Sequence, residues 1–255
     1  MLRVTVIGRS PSWQDAGGAC SGYLVETDNV RVLVDCGNGV FGKLRERLDY
    51  REIDAVVISH HHGDHILDLV PYSYALTYGP SRDAGKPGLH LPPGGEQALR
   101  TIAGAFDREG LVVDAFESVT YDPDSSIVID DLQIELREVP HFTPAFAMAF
   151  TSGESGRFVY GADCARSDAL VDLAAGADVL MVEAALPAAY DGPADAKEGH
   201  LGPEEAGEMA RAAGVGRLVL THATDLMDLE ESRSVAEASF GGPVEMARED
   251  SSWQL

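Results

Sequence analysis

Short apolar runs separated by turn-forming residues dominate the first part of the chain. Residues 2–8 (LRVTVIG), 22–26 (GYLVE) and 31–35 (RVLVD) predict three strands, with turn chemistry at Asp28-Asn29 and around Gly37-Asn38-Gly39. Val40, Leu44 and Leu48 then recur at i, i+4 and i+8, the spacing of one helix face. Residues 55–58 form a short apolar strand that runs directly into a polar cluster beginning at Ser59. A strand that feeds a polar cluster is a usual place for a site.

The Pro- and Gly-rich segment 80–96 predicts a surface connection, with a brief strand at 89–91 and a helix over about 95–106. Hairpin-like strands are expected over about 111–162, where the pattern alternates and turns repeatedly, and β/α units follow to the end. Pro203 and two glutamates open a helix with Ala206, Met209, Ala210 and Ala213 on one face and Gly214 closing it, while Asp228 and Glu231 form a capping-box pattern for another. A β-rich stretch followed by β/α units in each half predicts an α/β (α+β) fold: two packed sheets with helices outside and the site loops along one edge. At 255 residues the chain is read as a single domain, 1–255.

Composition narrows the partners. Hydrophobic residues at 45% and charged residues at 24% describe an ordinary globular chain, so disorder is set aside. No apolar run reaches the roughly 18 residues of a membrane helix, and the opening MLRVTVIGRS lacks the form of a signal peptide, so the expectation is a cytoplasmic protein with no membrane partner. Cys20, Cys36 and Cys164 match neither a disulfide framework nor a zinc clip and are expected to be buried thiols. The formal charge of −23, from 42 acids against 19 bases, opposes long-range attraction of a polyanion. A large nucleic acid is therefore disfavoured, a small molecule is the expected substrate, and a homodimer stays open.

Residues 59–65 read Ser-His-His-His-Gly-Asp-His, which places four potential ligands, His60, His62, Asp64 and His65, within six positions after a strand. Imidazole and carboxylate together suit a borderline ion such as zinc, whereas magnesium or calcium favours oxygen donors. The alternative is an exposed polar loop that binds metal weakly; the strand-loop-helix context and the presence of distant partners argue against it.

This segment resembles the HxHxDH signature of the metallo-β-lactamase superfamily, and the resemblance extends over nearly the whole chain. It implies a four-layer αββα sandwich and a dinuclear centre. By that resemblance His60, His62 and His141 (in VPHFTPAF) hold one ion, Asp64, His65 and His222 (in LVLTHA) the other, and Asp163 (in VYGAD) bridges both. The ions are expected to be zinc, with manganese or iron as alternatives. A hydroxide between two such ions is nucleophilic near neutral pH, so hydrolysis is the expected reaction. Asp35 fits the family's early aspartate, which orients the site without binding metal; Asp68 is a second candidate for that work, or a helix cap. His61 is left outside the ligand set, and His90 is read as structural.

Glu183 (in VLMVEA) and His200 (in GHLGPEEAG) resemble a pattern of the phosphodiesterase and tRNA 3′-processing branch, and with Asp64 they form the expected catalytic set. There the histidine serves the phosphate and the acid holds it. The alternatives are a strand-end cap for Glu183 and a helix-opening role for His200. The segments GACSGYLVE and VLVDCGNGVFGKL resemble compact bacterial cyclic-nucleotide phosphodiesterases. No basic Gly-rich arm for a tRNA is evident, since Arg82, Asp83 and Lys86 form no basic cluster. The leading expectation is a phosphodiesterase for a small substrate such as a cyclic nucleotide. A lactone, thioester or other acyl hydrolase, a tRNA 3′-processing endonuclease and a non-catalytic metal-stabilised binding protein are the alternatives. Ala162-Asp163-Cys164 departs from the branch's usual Gly-Asp-Thr, with Cys164 read as a buried small residue.

Overall fold

The computed structural model describes residues 1–80, 85–123 and 125–255. Arg82 and Asp83 lie outside the described residues. The first half contains β1 (Arg3–Gly8), β2 (Gly22–Glu26), β3 (Arg31–Val34), α1 (Val40–Arg47), β4 (Ala55–Val57), α2 (Gly63–Ile66), α3 (Leu69–Tyr78), β5 (Gly88–Leu91), α4 (Gly95–Gly104) and β6 (Glu117–Thr120). The second contains β7 (Ser126–Ile129), β8 (Leu132–Val139), β9 (Ala145–Thr151), β10 (Phe158–Tyr160), α5 (Asp168–Leu173), β11 (Val179–Glu183), α6 (Pro203–Ala213), β12 (Leu218–Thr221), α7 (Leu229–Phe240), β13 (Val244–Met246) and β14 (Ser252–Gln254).

Among the described residues the strands form two seven-stranded mixed sheets, in the orders β14-β1-β2-β3-β4-β5-β6 and β13-β12-β11-β10-β9-β8-β7. In each, an antiparallel group continues into a parallel one: β3 to β6 are parallel in the first, and β10 to β13 in the second. The period of two explains the layering, because successive side chains leave a strand on opposite faces. Val32 and Val34 enter the core between the sheets while Leu33 faces the outer helices. On β9, Phe146, Met148 and Phe150 fill the space between the sheets, while Ala145, Ala147 and Ala149 face the other way, into the core shared with α5, α6 and α7. Helices α1, α3 and α4 cover the first sheet through Val40, Leu44, Leu69, Tyr72 and Leu99. The result is the expected αββα order.

Local chemistry sets the helix ends. Asp228 accepts a hydrogen bond from the Glu231 N–H at 2.9 Å at the start of α7, and the Glu205 side chain accepts from the Gly202 N–H at 3.0 Å at the start of α6. Gly214 closes α6 in the left-handed region at φ 64°.

Two expectations need correction. The stretch 111–162 is not a continuous run of hairpins: residues 111–116 form turns, and β6 pairs parallel with β5 at the edge of the first sheet before the chain crosses to β7 in the second. Alternation shows that a strand has two faces and carries no information about its partner. Nor does the chain finish in β/α units, since β14 returns to pair antiparallel with β1.

Candidate metal centre

The site forms where strands of both sheets end at one edge of the sandwich. From the first sheet, β4 delivers Ser59 and His60, and the turn into α2 delivers His62, Asp64 and His65. From the second, the β8–β9 connection carries His141, the end of β10 carries Asp163, and the end of β12 carries His222. Three positions that aim these groups have left-handed backbones without being glycine: Asp35 at φ 59°, Ala162 at 55° and His222 at 52°. Such conformations cost about 1–3 kcal/mol each and persist where the surrounding structure over-determines them.

Seven sequence-predicted residues converge into two groups. His60, His62 and His141 place one nitrogen each within 4.8 Å of one another, as do the ligand atoms of Asp64, His65, Asp163 and His222. The separations match a shared ion: two donors at about 2.1 Å in tetrahedral directions lie about 3.4 Å apart. Here Asp163 Oδ2 lies 3.1 Å from His222 Nε2, 3.5 Å from His65 Nε2 and 3.8 Å from His60 Nε2, so it stands between the groups. Asp64 Oδ2 is 3.6 Å from His65 Nε2 and 3.8 Å from His222 Nε2, and His141 Nε2 is 3.0 Å from His62 Nδ1.

Outer hydrogen bonds fix the remote nitrogen of His60, His65, His141 and His222. Asp35, fully buried, accepts from the Ser59 N–H at 2.7 Å, the Ser59 hydroxyl at 2.8 Å, His65 Nδ1–H at 2.8 Å and the Tyr160 hydroxyl at 3.0 Å. Because the Ser59 hydroxyl donates to Asp35, its oxygen accepts from His60 Nδ1–H at 3.1 Å. His141 Nδ1–H donates to the Gly199 carbonyl at 2.7 Å, and His222 Nδ1 meets Ser21 Oγ at 3.2 Å. Each of these contacts leaves Nε2 turned to the cluster. His60 Nε2, His65 Nε2 and Asp163 Oδ1 are buried without a hydrogen-bond partner, an arrangement that costs free energy in the bare chain and fits ligation of a cation. The His/Asp clusters are suited to divalent metals.

Electrostatics agree. Burial holds His60, His62 and His222 below the ordinary histidine range and takes His141 down to about 4, which keeps these imidazoles neutral, the form that ligates. Burial opposes a charge on His65 as well, but Asp163 and Asp35 outweigh it and raise that ring. Burial also opposes ionisation of Asp163, yet His222 and His65 hold it well below the usual carboxylate range.

Glu183 and His200 also meet at this edge. His200 Nδ1 lies 3.1 and 3.2 Å from the two Glu183 oxygens, and Glu183 Oε1 accepts from the Cys164 N–H at 2.7 Å. Burial works against a charge on His200, but the hydrogen bond and charge of Glu183 win and favour the protonated ring. The pair groups with Asp163, so it borders the His/Asp cluster. His62, His141 and His200 are partly exposed while His60, His65, Asp163 and His222 are buried, so the cluster opens to solvent on the His141–His200 side.

Asp68 touches none of the imidazoles; its Oδ2 accepts from the Phe41 N–H at 2.9 Å and ties α1 to the site helix. Cys164 is a buried thiol, as expected, and so are Cys20 and Cys36. His61 stays outside both groups, with Nε2 2.9 Å from Thr143 Oγ1. Ser21, Ser59, Tyr160 and Gly199 support the site without having been singled out from the sequence; a hydroxyl next to His60 was the one available signal.

Residues 30–223 match the family model for the β-lactamase superfamily domain. The chain belongs to the β-lactamase superfamily. This superfamily member is 32% identical to the probable metallo-hydrolase YhfI of Bacillus subtilis (strain 168) over 257 residues, covering 99% of this chain and 100% of that protein. The crystal structure of YhfI matches with a TM-score of 0.87 at 28% identity, covering 100% of both chains. The short form of human tRNase Z matches with a TM-score of 0.75 at 19% identity over 99% of this chain and 98% of that one. A diphosphatase of the PhnP family matches at 0.74 and 20% over 100% and 98%. These last two show the shared metallo-β-lactamase fold. Among the described residues no helix is long and apolar enough to cross a membrane.

Proposed function

We propose that this chain is a dinuclear metal-dependent phosphodiesterase acting on a small phosphodiester such as a cyclic nucleotide. The observation that carries the reading is the Glu183–His200 pair, a proton-holding dyad at the accessible border of the His/Asp cluster. His60, His62 and His141 would hold one ion, Asp64, His65 and His222 the other, and Asp163 would contribute to both. When bound there, two divalent ions, zinc by donor type with manganese or iron as other occupants, would supply a water that is nucleophilic near neutral pH and would stabilise charge on the attacked group. The chain's own contribution is to hold His200 protonated against Glu183, so that Nε2–H protonates the departing oxygen. Asp35, Ser59 and Ser21 keep the ligand rings in register, and burial of His60, His65 and Asp163 excludes bulk water from the inner wall.

The net charge of −23 supports a small substrate over a long nucleic acid, and the three free cysteines support a reducing compartment such as the cytoplasm. The return of β14 to β1 supports 1–255 as one domain. The test is a metal-quantified comparison of wild type, Asp64→Ala and His200→Ala on cyclic nucleotides, an aryl phosphodiester, lactones and thioesters. Wild type is expected to cleave phosphodiesters, and His200→Ala to keep both metals while losing roughly 10²–10⁴-fold in turnover. Cleavage of acyl substrates alone, or full activity in metal-loaded His200→Ala, overturns the reading.

A further inference from the structure

Phe142 follows His141 directly, on the connection between β8 and β9. Its ring centroid lies 5.2 Å from that of His141 and 5.7 Å from that of His200, so it borders both the first ligand group and the Glu183–His200 dyad. It is nevertheless 56% exposed, whereas the aromatic residues nearest the cluster from inside, Tyr23, Tyr121, Phe146 and Tyr160, are buried. Other exposed aromatics occur, including Trp13 and Tyr78, but among the described residues Phe142 alone among them has a ring contact with these histidines.

One side of the ring packs on the chain at Gly199. A Cβ built on Gly199 would come within 2.4 Å of it, so the ring lies against bare backbone at the residue whose carbonyl orients His141. An apolar ring kept at the rim of a charged site, with most of its surface in water, is poor burial and a good platform for a planar partner.

We infer that Phe142 stacks against a planar aromatic group of the substrate, so that the preferred phosphodiesters carry a nucleobase or comparable ring beside the scissile phosphate. The inference rests on the proposed function for the identity of the reacting group, and on geometry alone for the aromatic one. Stacking of a base on a side chain is sequence-tolerant, which makes this a selector for an aromatic ring over none.

The test compares binding of AMP and of ribose 5-phosphate to metal-loaded wild type, Phe142→Ala and Phe142→Trp by calorimetry, with metal content measured on each sample. Wild type is expected to bind AMP at least about tenfold tighter than ribose 5-phosphate. Phe142→Ala brings that ratio close to one without changing ribose 5-phosphate affinity or metal content, and Phe142→Trp keeps it. Equal binding of the two compounds by wild type, failure of both to bind, or a Phe142→Ala variant that weakens both alike or loses metal overturns the inference; the last shows a ring that only shields the His141–Gly199 bond. Failure of the broader reading registers elsewhere: a protein that cleaves no phosphodiester yet binds AMP selectively through Phe142 loses the reaction and keeps the platform.

Discussion

Asp35→Asn isolates the group that orients the centre from within. The carboxylate is fully buried; one oxygen accepts the Ser59 N–H, and the other accepts the Ser59 hydroxyl, the Tyr160 hydroxyl and His65 Nδ1–H. An asparagine keeps one acceptor oxygen and presents two N–H groups. Facing the three-donor side with its oxygen leaves the amide nitrogen opposed to the Ser59 N–H, which cannot rotate away as a hydroxyl can. A buried donor left unpaired costs about 1–3 kcal/mol, and replacing the charged acceptor of His65 by a neutral one roughly halves that bond. The expected loss of folding stability is therefore about 2–4 kcal/mol in the metal-free protein, with no added backbone strain because asparagine tolerates the left-handed φ of 59°. Loosening the His65 ring should weaken metal binding by about 10–100-fold. Denaturant unfolding of the metal-free protein and competition with a chelating indicator measure the two effects separately. A variant with wild-type stability and metal affinity within twofold would refute the assignment of Asp35 as the orienting group.

At Gly37 an added Cβ would come 1.8 Å from the Asp64 carbonyl oxygen and 2.8 Å from Cys20 Cβ, so Gly37→Ala must push the site turn aside. A loss of at least about 1–3 kcal/mol is expected from overpacking, together with reduced metal content; an unchanged melting temperature and metal content would contradict it. For the metal-free protein the pH dependence follows from opposing groups. His60, His62, His141 and His222 are lowered in the folded state, so their contribution is present above about pH 6.5 and is lost as pH falls towards the value of about 4 held by His141. His65 and His200 are raised, so theirs is full below about pH 6.5 and is lost as pH rises through their folded values. Melting temperature of chelator-treated protein is expected to peak near neutrality and fall on both sides, and a monotonic profile from acid to alkali would show that the histidine cluster does not govern it.

The sequence was most readable where a side-chain pattern maps onto a single element. Strands β1 to β3, the Pro203-to-Gly214 helix and the Asp228 cap follow from residue types that act on their immediate neighbours. The convergence of residues 60–65 with His141, Asp163 and His222 was legible through family resemblance and motif order, although nothing in local spacing places Asp163 between the two groups. Partners chosen across space escaped. The parallel pairing of β6 and the return of β14 depend on the whole topology, and Asp68 turned to the Phe41 backbone because α1 lies there. The left-handed backbone at Ala162 likewise carries no signal in residue type, and those at Asp35 and His222 only the weak preference of Asp and His for that region, since the surrounding fold decides which residues adopt it.

The division of the cluster between the two sheets bears on how the molecule matures. His60, His62, Asp64 and His65 belong to the first half, and His141, Asp163 and His222 to the second, with the Tyr160–Asp35 hydrogen bond crossing the same seam. Neither half alone brings the two donor groups together, so ions held as proposed are captured with full strength only after the halves have docked. Cation capture then acts as a latch on tertiary assembly: it slows separation of the halves far more than it speeds their formation. Amide hydrogens along β4, β10 and β12 should show the greatest gain in exchange protection when metal is added, and those of the distant edge strands the least.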